Sequence, residues 1–139
     1  MNTLPAHVYE EAGRGFLVVG SSRIPVDPIW LASGDTLPRD VVVGVRPQHI
    51  ALSPPGETVD GRLEGVIFAV ETLGSRVIFD IDAGSTIVRV MTTVDLARHY
   101  PEQIGAPIAF RIHHDFVYLF DPVSGRTLRH AQFAARPPA

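Results

Sequence analysis

The residues of this chain that come closest to a metal-binding pattern are three neighbours, His113-His114-Asp115. Imidazole nitrogens and carboxylate oxygens are common ligands of zinc and other transition metals. Adjacent residues of a strand point to opposite faces, so His113 and His114 cannot easily bind one ion if they lie in a strand. We therefore predict the polar end of a hairpin and no metal site. A loop is the arrangement that would relax this constraint.

Carboxylates are the next group that could do chemistry. Asp80 and Asp82 share a strand face, but they flank an Ala-Gly turn and are explained as solvated strand ends. Glu64 and Glu71 are seven residues apart, an odd offset that places them on opposite faces and disfavours paired acid–base catalysis. Gly13-Arg14-Gly15 lacks the preceding strand and following helix of a phosphate-binding loop, so we predict a hairpin turn there.

The composition excludes most covalent catalysis. All 12 basic residues are arginine, and the chain has no cysteine. A phosphate-loop lysine, a Schiff-base lysine and a catalytic thiolate are therefore excluded. No serine has the G-x-S-x-G setting of a hydrolase nucleophile. We predict that the chain is not an enzyme and that it holds no catalytic residue, cofactor or metal.

Nucleic-acid binding is disfavoured by charge and by the expected placement of aromatic residues. The formal net charge of −3 offers no general attraction for phosphates. Six aromatic residues fall on the expected inward face of alternating runs, where they cannot stack on bases. These are Phe68, Phe79, Phe110, Phe116, Tyr118 and Phe120. Binding of a small anion would need arginines that converge in a cleft. The candidates, by residue type alone, are Arg46, Arg62, Arg76 and Arg89.

The elements that must position these groups are mostly strands. Apolar and polar residues alternate with a period of two in many short runs, and 12 glycines and 12 prolines separate those runs. One helix is predicted over residues 93–100, with Thr93 as its N-cap and Pro101 ending it. The pattern therefore predicts an all-β fold, a small barrel or sandwich of short antiparallel strands with one short helix.

The alternation also assigns faces to the strands. Besides the six aromatic residues, we expect a set of aliphatic residues to point inward: Val66, Val70, Val77, Ile81, Ile108 and Ile112. Several apolar residues then point outward: Ile67, Ala69, Ile78, Val117 and Leu119. Outward apolar residues need a covering layer, either the rest of the chain or a second copy, and we expect weak self-association. Gly74 is expected to adopt a positive φ in the turn between two of these strands.

A proline-rich segment divides the chain. We predict a first part at 1–53, a linker at 54–58, a second part at 59–132 and a flexible tail at 133–139. No apolar run approaches the 18 or more residues of a membrane span, and the N-terminus has no signal-peptide pattern.

Four segments carry a resemblance to a known family. Residues 43–50, V-G-V-R-P-Q-H-I, resemble a G-I-R-P-E-H-I segment, and residues 70–75 resemble the V-E-x-L-G turn that follows it. Residues 119–128 are similar to a closing L-F-D-x-x-T-G-x-x-L, and residues 1–6 to an opening M-N-x-L-P. The order and spacing are those of the C-terminal region of ATP-binding subunits of maltose- and glycerol-3-phosphate-type ABC importers. Gln48 departs from the family's usual glutamate, which removes a charge.

The resemblance implies a fold and a role. The fold would be a pair of intertwined barrels of the oligonucleotide-binding (OB) type, a TOBE or MOP-like region whose last strands return to the first part. The role would be that of a non-catalytic regulatory and dimerisation domain beneath the ATPase dimer. The motif residues implied to matter for structure or regulation are Arg46, Pro47, Gln48, His49, Glu71, Gly74, Phe120, Asp121 and Gly125.

The same resemblance implies partners and a location. ATP and magnesium would bind an N-terminal ATPase domain of the same subunit, and the permease would be reached through the full-length protein. The implied location is cytoplasmic, peripheral on the inner face of the membrane, with a homodimer and a regulatory protein or small effector as further partners. The chain is expected to be part of a longer protein, and a separate gene is the alternative. The other open functions are a TOBE module that senses an oxyanion or metabolite and, least favoured, a nucleic-acid-binding OB fold.

Overall fold

The structure, a computed structural model, describes residues 1–28, 30 and 36–131. Its strands are β1 (Asn2–Glu11), β2 (Arg14–Val19), β3 (Ser22–Pro25), β4 (Asp40–Val45), β5 (Ala51–Ser53), β6 (Arg62–Leu73), β7 (Arg76–Asp82), β8 (Ile87–Thr93), β9 (Pro107–Arg111), β10 (Tyr118–Phe120) and β11 (Thr127–Arg129). A short α-helix, α1 (Val94–Ala97), and two 3-10 turns, Pro47–His49 and His114–Phe116, also lie in the described residues. The predicted all-β class with one short helix is confirmed.

The strands form two antiparallel sheets. The first has the order β11-β10-β4-β1-β2-β3 and the second has the order β5-β9-β6-β7-β8. The chain enters the second sheet after β4 and comes back to the first after β9, so that β10 pairs with β4. The proposed division at 54–58 stays a prediction, although β5, which precedes that segment, already pairs with β9 in the second sheet. The tail at 133–139 lies outside the described residues.

The core lies between the sheets and is aliphatic with a few large aromatic residues. In β7 and β9 the predicted inward residues are buried, with Phe79 and Phe110 fully enclosed. The hairpin between β6 and β7 is also confirmed. Leu73 pairs with Arg76, so Gly74 and Ser75 are the two turn residues. Gly74 has a φ of +60°, and a type II′ hairpin turn requires a glycine with positive φ at this first position.

The predicted face is wrong for Val66 and Phe68 of β6, whereas Val70 packs against the core as predicted. Ile67 is 1% exposed, whereas Phe68 is 58% exposed and Val66 lies on the same outer side. A register shift between Ile67 and Ala69 inserts an extra residue into β6 opposite β7. A β-bulge of this kind breaks the two-residue period of the strand. The alternation of apolar and polar residues in the sequence does not show at which residue the bulge occurs.

The predicted face of residues 116–120 is also wrong. Val117 and Leu119 are fully buried, while Phe116, Tyr118 and Phe120 are only half-buried. A 3-10 turn over His114–Phe116 resets the alternation before β10 begins. Ile67, Val117 and Leu119 therefore belong to the core. Ile78 is also buried and Ala69 is half-buried, so the outward apolar set from which self-association was predicted is not exposed as a patch.

The predicted helix is present but shorter. The Thr93 side chain caps α1 by accepting a hydrogen bond from the Leu96 backbone N–H at 3.2 Å. Regular helix ends at Ala97, and turn-type bonds such as Tyr100 N–H to the Ala97 carbonyl follow. None of the helices in the described ranges has the length and apolar character needed to span a membrane.

Candidate functional site

The chain passes between the two sheets at two short turns that contact each other. It leaves the first sheet through residues 46–49 and returns through residues 113–116, and each includes one turn of 3-10 helix. The rings of His49 and Phe116 stack with their centroids 4.6 Å apart. We call residues 46–49 and 113–116 the crossover junction.

The first half of the crossover junction contains four predicted site residues. Arg46 is extended, and the proline ring of Pro47 starts the turn with a φ compatible with 3-10 geometry. The His49 backbone N–H closes the turn on the Arg46 carbonyl at 2.9 Å. The side chains of Arg46 and Gln48 are exposed, while His49 is half-buried and stacks on Phe116. Burial, and next the charge of Arg46, lower the pKa of His49.

The second half brings His113, His114 and Asp115 together, contrary to the predicted hairpin end. One potential ligand atom from each residue lies within 4.8 Å of the others. The two imidazole rings stack at 4.5 Å because the backbone forms a 3-10 turn there and not a strand. The Nδ1 atom of His113 caps this turn by accepting the Asp115 backbone N–H at 3.2 Å. Burial and the neighbouring His114 lower the pKa of His113.

Asn2 links the two sheets, and the sequence reasoning did not single it out. Its side-chain amide donates to the Arg89 carbonyl at 2.7 Å, and its side-chain oxygen accepts the Arg89 backbone N–H at 2.8 Å. Asn2 thereby extends the backbone pairing of β8 across to β1. The sequence did contain a sign of this role, because Asn2 lies on the same buried face of an alternating strand as Leu4 and Ala6. A polar residue on a buried face needs hydrogen-bond partners.

Phe120 packs on the backbone of β4. A Cβ atom at Gly44 would lie 2.5 Å from the Phe120 Cε2 atom and 2.8 Å from the Met1 sulfur. Gly44 therefore allows the returning strand β10 to lie close to β4. The role of Phe120 is packing between three distant segments.

Asp121 and Gly125 shape the loop between β10 and β11. The Oδ1 atom of Asp121 accepts the backbone N–H groups of Val123 and Ser124, each at 2.9 Å. These two bonds are the main cause of the lowered pKa of Asp121. Gly125 has a φ of +74° and donates its N–H to the Asp121 carbonyl at 2.9 Å. Both residues serve the turn that returns the chain to β11.

Glu71 and Gly74 lie on the β6–β7 hairpin, apart from the crossover junction. Glu71 is exposed and its backbone pairs with Ile78. Arg76 of this hairpin shares with Gln48 a groove of about 410 Å³ along β8 and α1.

The four arginines considered for anion binding do not converge. Arg89 forms an ion pair with Asp80, its Nε 2.9 Å from the carboxylate. Arg62 donates to Ser53, Glu64 and the Pro54 carbonyl. Arg62 does line a depression of about 650 Å³ together with two arginines that were not considered. These are Arg23 and Arg111, and the rim also carries Ser21, Ser22, Glu57 and Asp60.

Comparison with known proteins agrees with this architecture. Residues 43–120 match the TOBE domain family. The chain is similar in fold to the cytoplasmic molybdate-binding protein ModG, in a crystal form with molybdate bound: the TM-score is 0.67, the identity is 18%, and 87% of this chain and 96% of that chain are covered. No curated protein sequence matches the chain. The matched segment includes the crossover junction and six of the eleven strands completely, and it makes up more than half of the 139 residues, so the chain belongs to the TOBE domain family.

Proposed function

We propose that this TOBE chain is the non-catalytic regulatory and dimerisation domain of the ATP-binding subunit of an ABC importer for carbohydrate-type solutes. A rigid β module attached to each ATPase core keeps the two cores at high effective concentration while they open and close. The exposed side chains of Arg46 and Gln48 and the groove beside them offer a surface on which a regulatory protein or small effector biases that motion.

One observation carries the proposal: three of the four importer-like segments lie side by side in one sheet. Residues 1–6 pair with β4, where Asn2 lies opposite Val45. The segment that begins at Leu119 continues the same sheet on the other side of β4. Chance sequence matches spread over 128 residues would not be expected to lie on adjacent strands. Their adjacency supports one inherited structural unit.

Dimerisation is supported by an apolar patch that differs from the predicted one. Phe68 and Val66 are exposed on the outer side of β6, and Ile104 is 78% exposed in the loop beside it. The loop is held there because Gly105 N–H donates to the Ile67 carbonyl at 2.7 Å. A patch of this kind on a small domain is typical of a contact surface.

Sedimentation equilibrium between about 5 and 500 µM tests this surface, since an isolated domain should associate with a dissociation constant of about micromolar or weaker. Phe68→Ser should abolish association. Val123→Ser, at an apolar residue that is 96% exposed in another loop, is the matched control and should leave it unchanged. A monomer at the highest concentration, or equal effects of both variants, would contradict dimerisation through this patch.

The proposal assigns nucleotide chemistry and membrane attachment to other parts of the assembly. ATP and magnesium are bound by an N-terminal ATPase domain, and contact with the permease holds the subunit at the cytoplasmic face of the membrane. The isolated chain should therefore neither bind nor hydrolyse ATP, because it has no lysine for a phosphate loop. Saturable micromolar binding in equilibrium dialysis would refute this assignment. The DNA next to the coding region should encode an ABC ATPase core, in frame or as an adjacent gene.

Oxyanion sensing is a second candidate, supported by the arginine-lined depression and by the likeness to a molybdate-binding protein. Arg111 uses its Nε to donate to the Asp60 carbonyl at 3.2 Å and lines the depression, and its two terminal nitrogens take no part in that bond. Arg23 lies over the Phe16 ring at 4.7 Å and 3.6 Å from Glu11. The rim acids Glu57 and Asp60 oppose anion entry, so any site must rely on these arginines.

Calorimetry with molybdate, sulfate and a sugar phosphate separates the two candidates. If the depression binds an oxyanion, Arg111→Gln should remove binding while Arg126→Gln, an exposed arginine outside the depression, should not. No heat with any of the three anions would exclude this candidate and leave the importer proposal unaffected.

A further inference from the structure

The cluster of His113, His114 and Asp115 has a metal-ligand arrangement that the proposed function does not use. The Asp115 carboxylate lies between the two imidazoles, with Oδ2 3.4 Å from His113 Nδ1 and Oδ1 3.2 Å from His114 Nε2. Ligand atoms about 2.0–2.2 Å from a tetrahedral zinc ion are roughly 3.3–3.6 Å apart. Each imidazole nitrogen therefore already lies near the required spacing from one carboxylate oxygen. The two contacts use different oxygens, so the carboxylate would bind through both oxygens or rotate, and the two nitrogens would approach each other.

The side chains are held without being sealed from solvent. Their exposed fractions are 44%, 24% and 23% for His113, His114 and Asp115, so an ion and its remaining waters have access. The ring centroids of Phe116 and His113 are 6.5 Å apart in an edge-on arrangement, and Phe116 is itself stacked on His49. Packing of this kind limits the reorientation that binding would otherwise require.

The hydrogen bonds present in the cluster are ones that an ion can replace. His114 Nε2 lies 3.2 Å from Asp115 Oδ1, and a cation bound between them would take the place of any proton on that nitrogen. The Nδ1 atom of His113 accepts the Asp115 backbone N–H at 3.2 Å, a length at the weak end for such a bond. Binding would break this hydrogen bond and turn the His113 ring so that the same Nδ1 lone pair points to the ion.

We propose that His113, His114 and Asp115 bind a divalent transition-metal ion. Two imidazoles and one carboxylate suit zinc and its neighbours and do not suit magnesium or calcium, which prefer oxygen ligands. Three protein ligands leave a position for water or for a group from a partner. Since the turn is the return crossover from β9 to β10, a bound ion would hold the conformation of this crossover turn.

Titration of the whole chain with zinc chloride in a calorimeter tests the site. His114→Gln should weaken binding at least about tenfold, the scale of losing a ligand or its close support. His113→Asn should do the same while its side-chain oxygen still caps the turn, which guards against a simple folding defect. His7→Gln is the matched control, since His7 Nδ1 also lies 2.7 Å from a carboxylate, that of Asp40, but lacks a second imidazole.

A thermal melt provides the second readout. Zinc should raise the melting temperature of the unmodified chain and of His7→Gln, but not that of His114→Gln. Absence of zinc binding, or equal weakening in His7→Gln and His114→Gln, would overturn the proposal. So would full retention of binding in both His113→Asn and His114→Gln.

Discussion

The link between Asn2 and Arg89 gives the sharpest prediction about stability. Replacing Asn2 with alanine removes two hydrogen bonds that join β1 to β8, at 2.7 and 2.8 Å. Each bond contributes about 0.5–1.5 kcal/mol, and each abandoned backbone group adds a desolvation cost of roughly 1–3 kcal/mol where water cannot replace the partner. Arg89 is exposed as a residue, so water recovers part of this cost. We expect a loss of about 2 kcal/mol in the free energy of unfolding.

The same figure can be expressed as a melting temperature. With an unfolding entropy of about 2.1 cal/mol/K per residue, 2 kcal/mol corresponds to roughly 7 °C for this 139-residue chain. The one tryptophan, Trp30, is 4% exposed and reports unfolding by fluorescence. Thr3→Ala, at the exposed neighbouring position of β1, is the matched control and should shift stability by less than about 0.5 kcal/mol.

Asn2→Asp separates the hydrogen bonds from packing, because the side chain keeps its shape. At neutral pH a carboxylate would face the Arg89 carbonyl and repel it, whereas the protonated acid can donate to that carbonyl. The folded state then raises the pKa of the new carboxyl and binds more protons than the unfolded state, so the loss relative to the unmodified chain should shrink as pH falls from 7 to 5. If Asn2→Ala and Thr3→Ala melt within 1 °C of each other, the two hydrogen bonds do not hold the sheets together.

Three further predictions concern other parts of the molecule. Gly74→Val should cost about 1–3 kcal/mol from backbone strain alone, since a Cβ at φ +60° meets no atom within 4 Å; an unchanged melting temperature would show that the turn differs. The folded state lowers the pKa of His49 below its ordinary 6.5, so the neutral form is favoured and unfolding free energy should fall as pH drops through about 6.5. His49→Phe, which retains a ring against Phe116, should make this fall shallower in denaturant titrations at pH 5.5 and 7.5. Asp121→Ala should lower the melting temperature at neutral pH, and the difference should shrink as pH falls below 3.8 and vanish only below the lowered pKa of the folded state, where the loop carboxylate of the unmodified chain is itself protonated.

Several features could be predicted from local sequence because they depend on neighbours in the chain. Alternating apolar residues predicted the strands of the β6–β7–β8 meander and the buried faces of β7 and β9. A glycine between two such runs predicted the hairpin at Gly74, and a threonine before a short helical run predicted the cap at Thr93. The absence of lysine likewise excludes a phosphate-loop nucleotide site without any structure.

Other features could not be predicted from the sequence. The alternation of apolar and polar residues tells which side chains point inward only while the strand keeps its two-residue period. The extra residue near Ile67 inverted the predicted face of part of β6 and exposed Phe68. The 3-10 turn before β10 did the same for Val117 and Leu119. In both places one added or turned residue reverses inward and outward for the remainder of the strand.

The sequence by itself determined the strand-rich architecture and the turns between its strands, and it indicated the TOBE family that residues 43–120 match. Tertiary structure alone decided which distant residues meet. Asn2 contacts Arg89 across a separation of 87 residues, and His113 and His114 face one side because the crossover turn rotates them out of strand geometry. Such encounters depend on which strands pair and how two sheets face each other. Local periodicity carries no information about that, because it records only the direction in which each side chain leaves its own strand.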